Sequence, residues 1–588
     1  MDAVVTVCDL RMRYGDNDVL TGVAFHVERG QVVCLLGPNG AGKTTTIEIL
    51  EGFRIRSAGE VTVLGQDPAV ADEDWRARTG VVLQSWRDHP RWTPRRLLTQ
   101  LGGYFAPYST PDRQRPHDVG LLLETVGLTD LADRKIATLS GGQRRRLDVA
   151  VGIVGRPELL FLDEPTAGFD PQARREFHGL VRNLAASEGT TILLTTHDLD
   201  EAEKLADRVL VLAAGRIVAD DTVEGLARRL EGESQVKWTA AGERHTESTP
   251  DATAFVRRLF DEHGDDVQDL EVRRASLEDA YIALVQQHEA GHGEAAAKSV
   301  RGGDPVNPTR NAIRLGLHRG WTEFSQSVRS TQDQGFYLFT AGIPVGYLFL
   351  RRNTEVEGTD LMLPSVALPS ILGALIAFGV IIGPAYALAM EKEDGTLLRH
   401  KAVPHGLQGY FTGQLLFQSM SLVPQMVVIL VPSFLLFDDL MAEPSGWLTV
   451  AWVIPLGLLA TMPIGMVIGA LVPGTQKVGT WGMLPVLVMA GISGIFYPVQ
   501  ALWGWVQVIA QIFPMYWIAL GMRSAFLPEQ AAALEIGGSW RTTQTVVVLS
   551  IWAILGALVT PRVLQRMARR QTGSQVEAAR DASLQWVR

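Results

Sequence analysis

Cysteine is nearly absent from this 588-residue chain: only Cys8 and Cys34 occur, both early. Two isolated cysteines in such a length read as free thiols in a reducing cytosol. The start, Met1-Asp2-Ala3-Val4-Val5, has neither the charged nor the apolar region of a signal peptide, which predicts a cytoplasmic N-terminus. Basic charge is also short: Lys and Arg number 54 against 64 Asp and Glu, a formal charge of −10. From Trp321 onward the two signs balance at 15 each, so the whole acidic excess lies before that point. An acidic first half argues against nucleic acid as the main partner, because a phosphate backbone calls for a basic surface. No internal repeat is found.

Apolar residues, by contrast, are plentiful, at 46% with a mean hydropathy of +0.10. The length predicts two large domains and a linker. Up to about Leu212 strand-like runs such as Gln31–Leu36, Leu159–Leu162 and Thr190–Leu194 alternate with helical stretches, the pattern of a βαβ domain with a largely parallel sheet. We divide the chain into an α/β domain at 1–230, a small appended α/β subdomain at 231–287 and a Gly-, Ala- and Pro-rich linker at 288–310. An all-α transmembrane domain at 311–565 and a tail at 566–588 follow.

After an amphipathic approach near 311–333, six apolar segments stand at 335–350, 361–390, 410–437, 447–472, 479–497 and 543–560. Most reach the ~20 residues that span a bilayer core. Pro344, Pro369, Pro384, Pro424, Pro455, Pro463 and Pro485 lie inside them, which membrane bundles tolerate and soluble helices do not. An even number of spans returns the C-terminus to the cytoplasm. Lys392, Arg399 and Lys401, Lys477, and the tail residues Arg562, Arg566, Arg569 and Arg570 then lie inside. The acids Glu355, Glu357, Asp360, Asp438, Asp439 and Glu443 lie outside, as the positive-inside rule expects; Arg351 and Arg352 are exceptions. Trp447, Trp503, Trp505, Trp517, Trp540 and Trp552 fall near span ends, where an aromatic belt belongs.

Chemistry concentrates in the first domain. Gly37-Pro38-Asn39-Gly40-Ala41-Gly42-Lys43-Thr44, followed by Thr45, matches the phosphate-binding pattern G-x-x-x-x-G-K-[ST] between a strand and a helix. Glycines let backbone N–H groups wrap phosphates, and the helix N-terminus adds favourable partial charge. Lys43 neutralises phosphate charge, and the Thr44 hydroxyl suits Mg²⁺. The run Leu159-Leu160-Phe161-Leu162-Asp163-Glu164 is a buried strand delivering two adjacent carboxylates, Asp163 for a magnesium shell and Glu164 for an attacking water. The alternative is that they merely cap the following turn. Leu139-Ser140-Gly141-Gly142-Gln143 lies about twenty residues earlier; by itself Ser140 reads as a helix N-cap.

Taken together and in this order, these motifs resemble the ABC transporter family across nearly the whole chain. The resemblance implies that Tyr14 stacks on adenine, that Gln84 touches Mg²⁺ and faces the membrane domain, and that His197 contacts the γ-phosphate. Ala167-Gly168-Phe169-Asp170 stands at the D-loop, departing from the commoner Ser-Ala-Leu-Asp but keeping Asp170. It further implies that ATP and Mg²⁺ are the cofactors and that each ATP is sandwiched between the P-loop of one ATPase domain and the Ser140–Gln143 signature of another. Lys43, Glu164 and His197 are then the catalytic group. A homodimer is the simplest assembly, and a heterodimer with a related half-transporter is the alternative.

The second half resembles the ABC-2 type of permease. Glu391-Lys392-Glu393-Asp394-Gly395-Thr396-Leu397 is similar to that type's E-x-E-x-G-T-L element, a lever on the ATPase domain; the plain alternative is a solvated loop. Pro498–Leu527 resembles its re-entrant helices, and Ala275–Ala280 resembles an element of daunorubicin-type exporter ATPases. Gln414, Gln418 and Gln425 lie within ~40° on one face of the third span, either lining a path or hydrogen-bonding to neighbouring helices. His288-Glu289-Ala290-Gly291-His292 matches a zinc-protease pattern, but its glycine and linker setting exclude the helix that pattern needs. The expected activity is export of a hydrophobic or amphipathic compound across the cell membrane by an ATP-hydrolysing dimer. Export of a polysaccharide, lipid-linked glycan or sodium, or a non-transporting sensor or immunity role, are the alternatives.

Overall fold

The computed structural model describes residues 3–15, 17–38, 40–82, 89–166, 169, 171–223, 225–226, 234–240, 243–249, 252–264, 267–273, 308–355, 361–437, 444–472, 474–495 and 499–570. Residues 288–307 of the linker, with the His288–His292 pattern, the Ala275–Ala280 element, Asn39, Gln84, Ala167, Gly168 and Asp170 lie outside them, while Pro308–Arg310 already belong to a helix. Two compact units form, one reaching Val306 and the other starting at Asn307.

In the first unit β1 (Ala3–Tyr14), β2 (Asn17–Glu28) and β4 (Ala58–Val63) make an antiparallel sheet in the order β2-β1-β4. A six-stranded sheet is ordered β5-β6-β7-β3-β8-β9, from β3 (Val32–Leu36), β5 (Thr79–Val82), β6 (Leu159–Asp163), β7 (Thr191–Thr196), β8 (Arg208–Ala213) and β9 (Arg216–Asp221). All its pairings are parallel except β8 with β9. Strands β3, β6 and β7 are buried at every residue, as parallel strands covered on both faces must be. That is why β3 and Leu159–Leu162 of β6 read as apolar runs, while β7 keeps Thr191, Thr195 and Thr196 around its apolar centre. Around the sheet stand α1 (Lys43–Leu50), α2 (Gly141–Ile153), α3 (Pro171–Glu188) and α4 (Leu199–Leu205), besides shorter helices. A third, antiparallel sheet of β10 (Ser234–Ala240), β11 (Glu243–Thr249) and β12 (Gln268–Arg273) packs with α5 (Ala252–His263) around Val236, Trp238 and Leu259.

The second unit is helical: α6 (Pro308–Arg329), α7 (Thr331–Leu350), α8 (Leu363–Asp394), α9 (Gly406–Leu436), α10 (Pro444–Leu471), α11 (Met483–Ile492), α12 (Gly504–Ala510), α13 (Pro514–Phe526) and α14 (Thr542–Arg570). Among the described residues, α8, α9, α10 and α14 are long and apolar enough to cross a membrane. The pair α12–α13 adds a fifth if it counts as one span; its bend of 87° suits a broken or re-entrant segment. The first and fifth expected spans fall on the shorter α7 and on α11, which a π-helical turn at Val478–Gly482 precedes. All seven prolines expected inside spans lie within helices. Helix α13 is almost wholly buried, from Pro514 to Arg523, and forms the centre of this unit's apolar core.

Helices α6 and α9 meet backbone to backbone. A Cβ on Gly316 would lie 2.3 Å from the Gly409 carbonyl oxygen, and one on Gly320 would lie 2.4 Å from that of Gly413. Spacings of four on both helices put these glycines on one face each, so the axes approach as only small residues allow. Within that seam Arg319 is buried, 1% exposed. Its Nε donates to Glu323 (2.8 Å), Nη2 to Glu391 (3.3 Å), and Nη1 lies 2.9 Å from His400 Nε2. The guanidinium stands 4.8 Å over the Tyr410 ring, whose hydroxyl donates to Glu391.

The Glu391–Leu397 element is therefore no solvated loop: α8 runs unbroken through Asp394 and stops at Gly395, φ +79°. Lys392 Nζ donates to the carbonyls of Gly469 (3.2 Å), Ala470 (3.2 Å) and Val472 (3.1 Å), which close the end of α10. Glu393 accepts from the Thr475 backbone (2.9 Å) and hydroxyl (3.1 Å). Three successive residues thus secure three different elements. A second buried arginine, Arg523 on α13, donates to Glu535 (2.5 Å), the Gly494 carbonyl (2.9 Å) and Ser370 (3.5 Å).

Removing one partner from a buried charge cluster costs about 3–5 kcal/mol, because the other charge is left without compensation. Arg319→Met should accordingly lower the thermal unfolding midpoint sharply, and adding Glu391→Gln should recover part of the loss. Arg319→Met melting with the parent in lipid nanodiscs would refute this account of the seam.

Candidate nucleotide site

Register builds this site. In the parallel sheet Leu36 pairs with Thr196, and Asp163 pairs with Thr195, so β3, β6 and β7 end level with one another. Gly37, Asp163–Glu164 and His197 consequently emerge together at the carboxyl edge, where open α/β sheets bind ligands.

The P-loop is shaped by what a side chain would strike. A Cβ on Gly37 would meet the Leu212 carbonyl oxygen at 2.4 Å. Gly40 and Gly42 have φ of +83° and +102°, and a Cβ on Gly42 would meet Leu20 Cδ2 at 2.5 Å. Gly42 caps α1, whose first residue is Lys43 and whose first turn carries Thr44 and Thr45. Lys43 is buried, its Nζ donating to the carbonyls of Gly37 (2.8 Å) and Pro38 (3.2 Å). Burial draws its ammonium below the ordinary lysine value, against the opposing pull of Glu164 and Asp163. Ala41 is buried in the same loop. A cradle of glycines at a helix N-terminus with an ammonium folded across it fits a polyphosphate.

Asp163 is buried at the end of β6 and accepts from the Thr195 hydroxyl. Burial pushes its carboxyl up to about 6; the Thr195 hydrogen bond works against this and Glu164 adds to it. Such a carboxyl suits a cation beside it. Among the described residues no group of three or more His, Cys, Asp or Glu gathers as a metal cage. Glu164 has φ +42°, a left-handed conformation rare outside glycine. Its backbone N–H donates to Thr195 Oγ1 (3.1 Å), and its Oε1 lies 3.4 Å from His197 Nδ1. His197 itself is exposed at the end of β7, 60% at the side chain.

Ser140 is indeed an N-cap. Its hydroxyl accepts from the Gln143 backbone (3.3 Å) while the Gln143 side chain accepts from the Ser140 backbone (2.9 Å), a complete capping box. Ser140 and Gly141 are exposed, and nothing lies within 4 Å of a Cβ built on Gly141. Among the described residues, no recorded hydrogen bond or ion pair joins Ser140, Gly141, Gly142 or Gln143 to the P-loop, Asp163–Glu164 or His197. Tyr14 ends β1.

Two supporting residues escaped sequence reasoning. Buried Arg145, on α2, donates to the carbonyls of Pro165 (2.9 Å), Asp163 (3.1 Å) and Glu164 (3.4 Å), fixing the strained turn after β6. Thr195 serves Asp163 and Glu164 together. An arginine five residues after a helix cap and a threonine in a buried strand carry no motif that would mark them.

Residues 20–167 match the model of the ABC transporter family, and residues 312–527 match that of the ABC-2 type transporter. The daunorubicin resistance ATP-binding protein DrrA2 of Streptomyces coeruleorubidus is 38% identical over 303 residues, covering 47% of this chain and 92% of that protein. The chain belongs to the ABC transporter family. Another relative of this ABC protein is the Nod factor export ATP-binding protein I of Ralstonia nicotianae, 43% identical over 217 residues, covering 37% of this chain and 66% of that one. A solved ATP-binding subunit of an ABC transporter is 25% identical, with 48% of this chain and 99% of that one covered at a TM-score of 0.35. The first unit is accordingly an ABC ATPase that binds ATP and couples its hydrolysis to transport, fused to a helical ABC-2 membrane domain in a drug-exporter-like half-transporter.

Gly42→Ala tests the cradle. Forcing a side chain onto φ +102° and against Leu20 should weaken ATP binding by roughly tenfold or more, as about 1–3 kcal/mol of backbone strain implies. Fluorescent-nucleotide titration measures it, and affinity within about twofold of the parent would reject the cradle geometry.

Proposed function

We propose that this ABC half-transporter works as a homodimer in the bacterial cell membrane, with both termini cytoplasmic, and exports a hydrophobic or amphipathic compound. The carrying observation is the level edge of Gly37, Asp163–Glu164 and His197, with the exposed, self-capped Ser140–Gln143 helix end unattached to it. A second copy that brings Ser140, Gly141, Gly142 and Gln143 to the phosphates would complete each site, with Asp170 crossing the interface. Phosphoryl transfer is mostly positioning and charge stabilisation, and each residue has a part. Tyr14 stacks on adenine. Gly37 to Thr45, with Asn39 among them, wrap the phosphates, and Lys43 neutralises their charge. Thr44, Asp163 and Gln84 are the residues that would hold a magnesium ion, which would supply charge neutralisation beside the phosphates. Glu164 takes the proton of the attacking water, and His197, 3.4 Å away, orients that carboxylate and the terminal phosphate.

The cargo reading draws support from the relatives' names, daunorubicin resistance and Nod factor export. The membrane unit adds its own support. On α9 Gln414 is buried and Gln418 and Gln425 are half-buried. Gln418 lies against Gly383, where an added Cβ would stand 2.6 Å from its Oε1. Amides grouped on one face of a span favour a cargo with polar groups of its own over a plain hydrocarbon.

Glu164→Gln should slow hydrolysis by about 10²–10⁴-fold, the usual worth of a general base, while ATP stays bound and the dimer accumulates. Brisk turnover in that variant would reject Glu164 as the base. Daunorubicin and other amphipathic aromatics should stimulate the ATPase and accumulate in inside-out vesicles only with ATP. Neither stimulation nor uptake across a panel that also includes glycolipids and sodium would favour a sensor role instead.

A further inference from the structure

We propose that Arg54 is a positioning residue for base recognition: its guanidinium backs the Tyr14 ring and presents the opposite face of that ring to adenine. The proposal rests on the reading of Tyr14 as the adenine-stacking residue.

Tyr14 sits at the corner where β1 turns into β2, a place that leaves a side chain free to swing. The Arg54 guanidinium carbon stands 5.0 Å from the centre of the Tyr14 ring, and the residue is still 38% exposed. One face is thus covered by a cation while the rest of the ring stays accessible. The cation is itself held. Arg54 donates through Nε (2.7 Å) and Nη2 (2.6 Å) to Glu48, and its backbone N–H donates to the Glu48 carbonyl (3.0 Å). Both side chains of this pair are nearly buried, 10% and 4% exposed. Glu48 lies on α1, five residues after Lys43, and is close enough to Asp163 to raise its pKa.

One short helix therefore sets both ends of the nucleotide site. Its first residue folds across the phosphate cradle, and its Glu48 anchors the arginine behind the tyrosine. A cation on one face of an aromatic ring draws on the ring's negative π-cloud. That relieves the repulsion between like quadrupoles which opposes face-to-face stacking, so the far face accepts a purine more readily. Holding the ring in place beforehand also spares its ordering when ATP binds.

The test uses the full chain in lipid nanodiscs, with displacement of a fluorescent nucleotide by ATP and by inorganic tripolyphosphate. Arg54→Met should weaken ATP binding by about fivefold or more and leave tripolyphosphate within about twofold, with the loss appearing in KM rather than kcat. Arg54→Lys should recover part of it. Adding Arg54→Met to Tyr14→Ala should change ATP affinity little beyond Tyr14→Ala alone. Because Arg54→Met strands Glu48, the double variant Arg54→Met/Glu48→Gln is measured beside it and should show the same discrimination. Equal loss of both ligands would overturn the proposal, since Arg54 would then act through α1 and not through the ring. Tighter ATP binding in Arg54→Met would overturn it too, by showing that the guanidinium occupies the face adenine needs. Tyr14→Ala with parental ATP affinity would remove the adenine reading beneath it. Loss in Tyr14→Ala without loss in Arg54→Met would overturn the role of Arg54 alone.

Discussion

Parallel pairing in register is the constraint on which the ATPase unit depends. Because β3, β6 and β7 stop at the same level, three segments far apart in sequence deliver their chemistry to one edge. Slipping one strand by a residue would reverse which side chains face each layer and carry Asp163 or His197 off that edge. Burial on both faces makes such a slip costly, since Val33, Phe161 and Leu193 are each fully enclosed. The chemistry at the edge is therefore held by packing several residues away. Thr195 and Arg145 then hold Glu164 in a left-handed conformation that the local chain would not choose.

In the membrane unit the corresponding constraint is a charge removed from water. Arg319 cannot be stable in its seam without Glu323, Glu391 and Tyr410, and those partners come from separate helices. Meeting the charge fixes α6, α8 and α9 to one another. Lys392 and Glu393 extend the same logic to the end of α10 and the start of the next segment, where free carbonyls and amides would otherwise face an apolar medium.

Much of this was legible in the order of residues. Apolar runs announced β3, β6 and the centre of β7, and the glycines of the P-loop stand where φ is positive or where a Cβ would collide with backbone. Ser140 had two readings, and the capping box shows that one of them is realised in the chain itself. Partners distant in sequence were not legible. Nothing in a lone arginine at 319 or 54 says which carboxylate will meet it, because that depends on packing and not on spacing. The Glu391–Asp394 segment had two readings, a lever element or a solvated loop, since charges near a span end usually lie in water. Here they are helical and occupied with other helices. The α7 helix has 20 residues but a polar start at Thr331–Gln334, and α11 has only 10. Among the described residues four helices are therefore long and apolar enough to span where the pattern suggested six.

Where Gly316 and Gly320 meet Gly409 and Gly413, the two helices touch backbone to backbone with no side chain of those four residues between them. Ordinary helix pairs carry a layer of rotatable groups that yields under load and absorbs small displacements as rotamer changes. A seam of backbone against backbone has no such layer. It transmits a shift of one axis to the other without lag, as a rigid hinge plate does. Its cohesion comes from shape and not from expelled water, so it should respond weakly to salt. For a machine that must turn the closing of an ATPase into motion among membrane helices, that stiffness is a mechanical property written into four hydrogens where side chains would be.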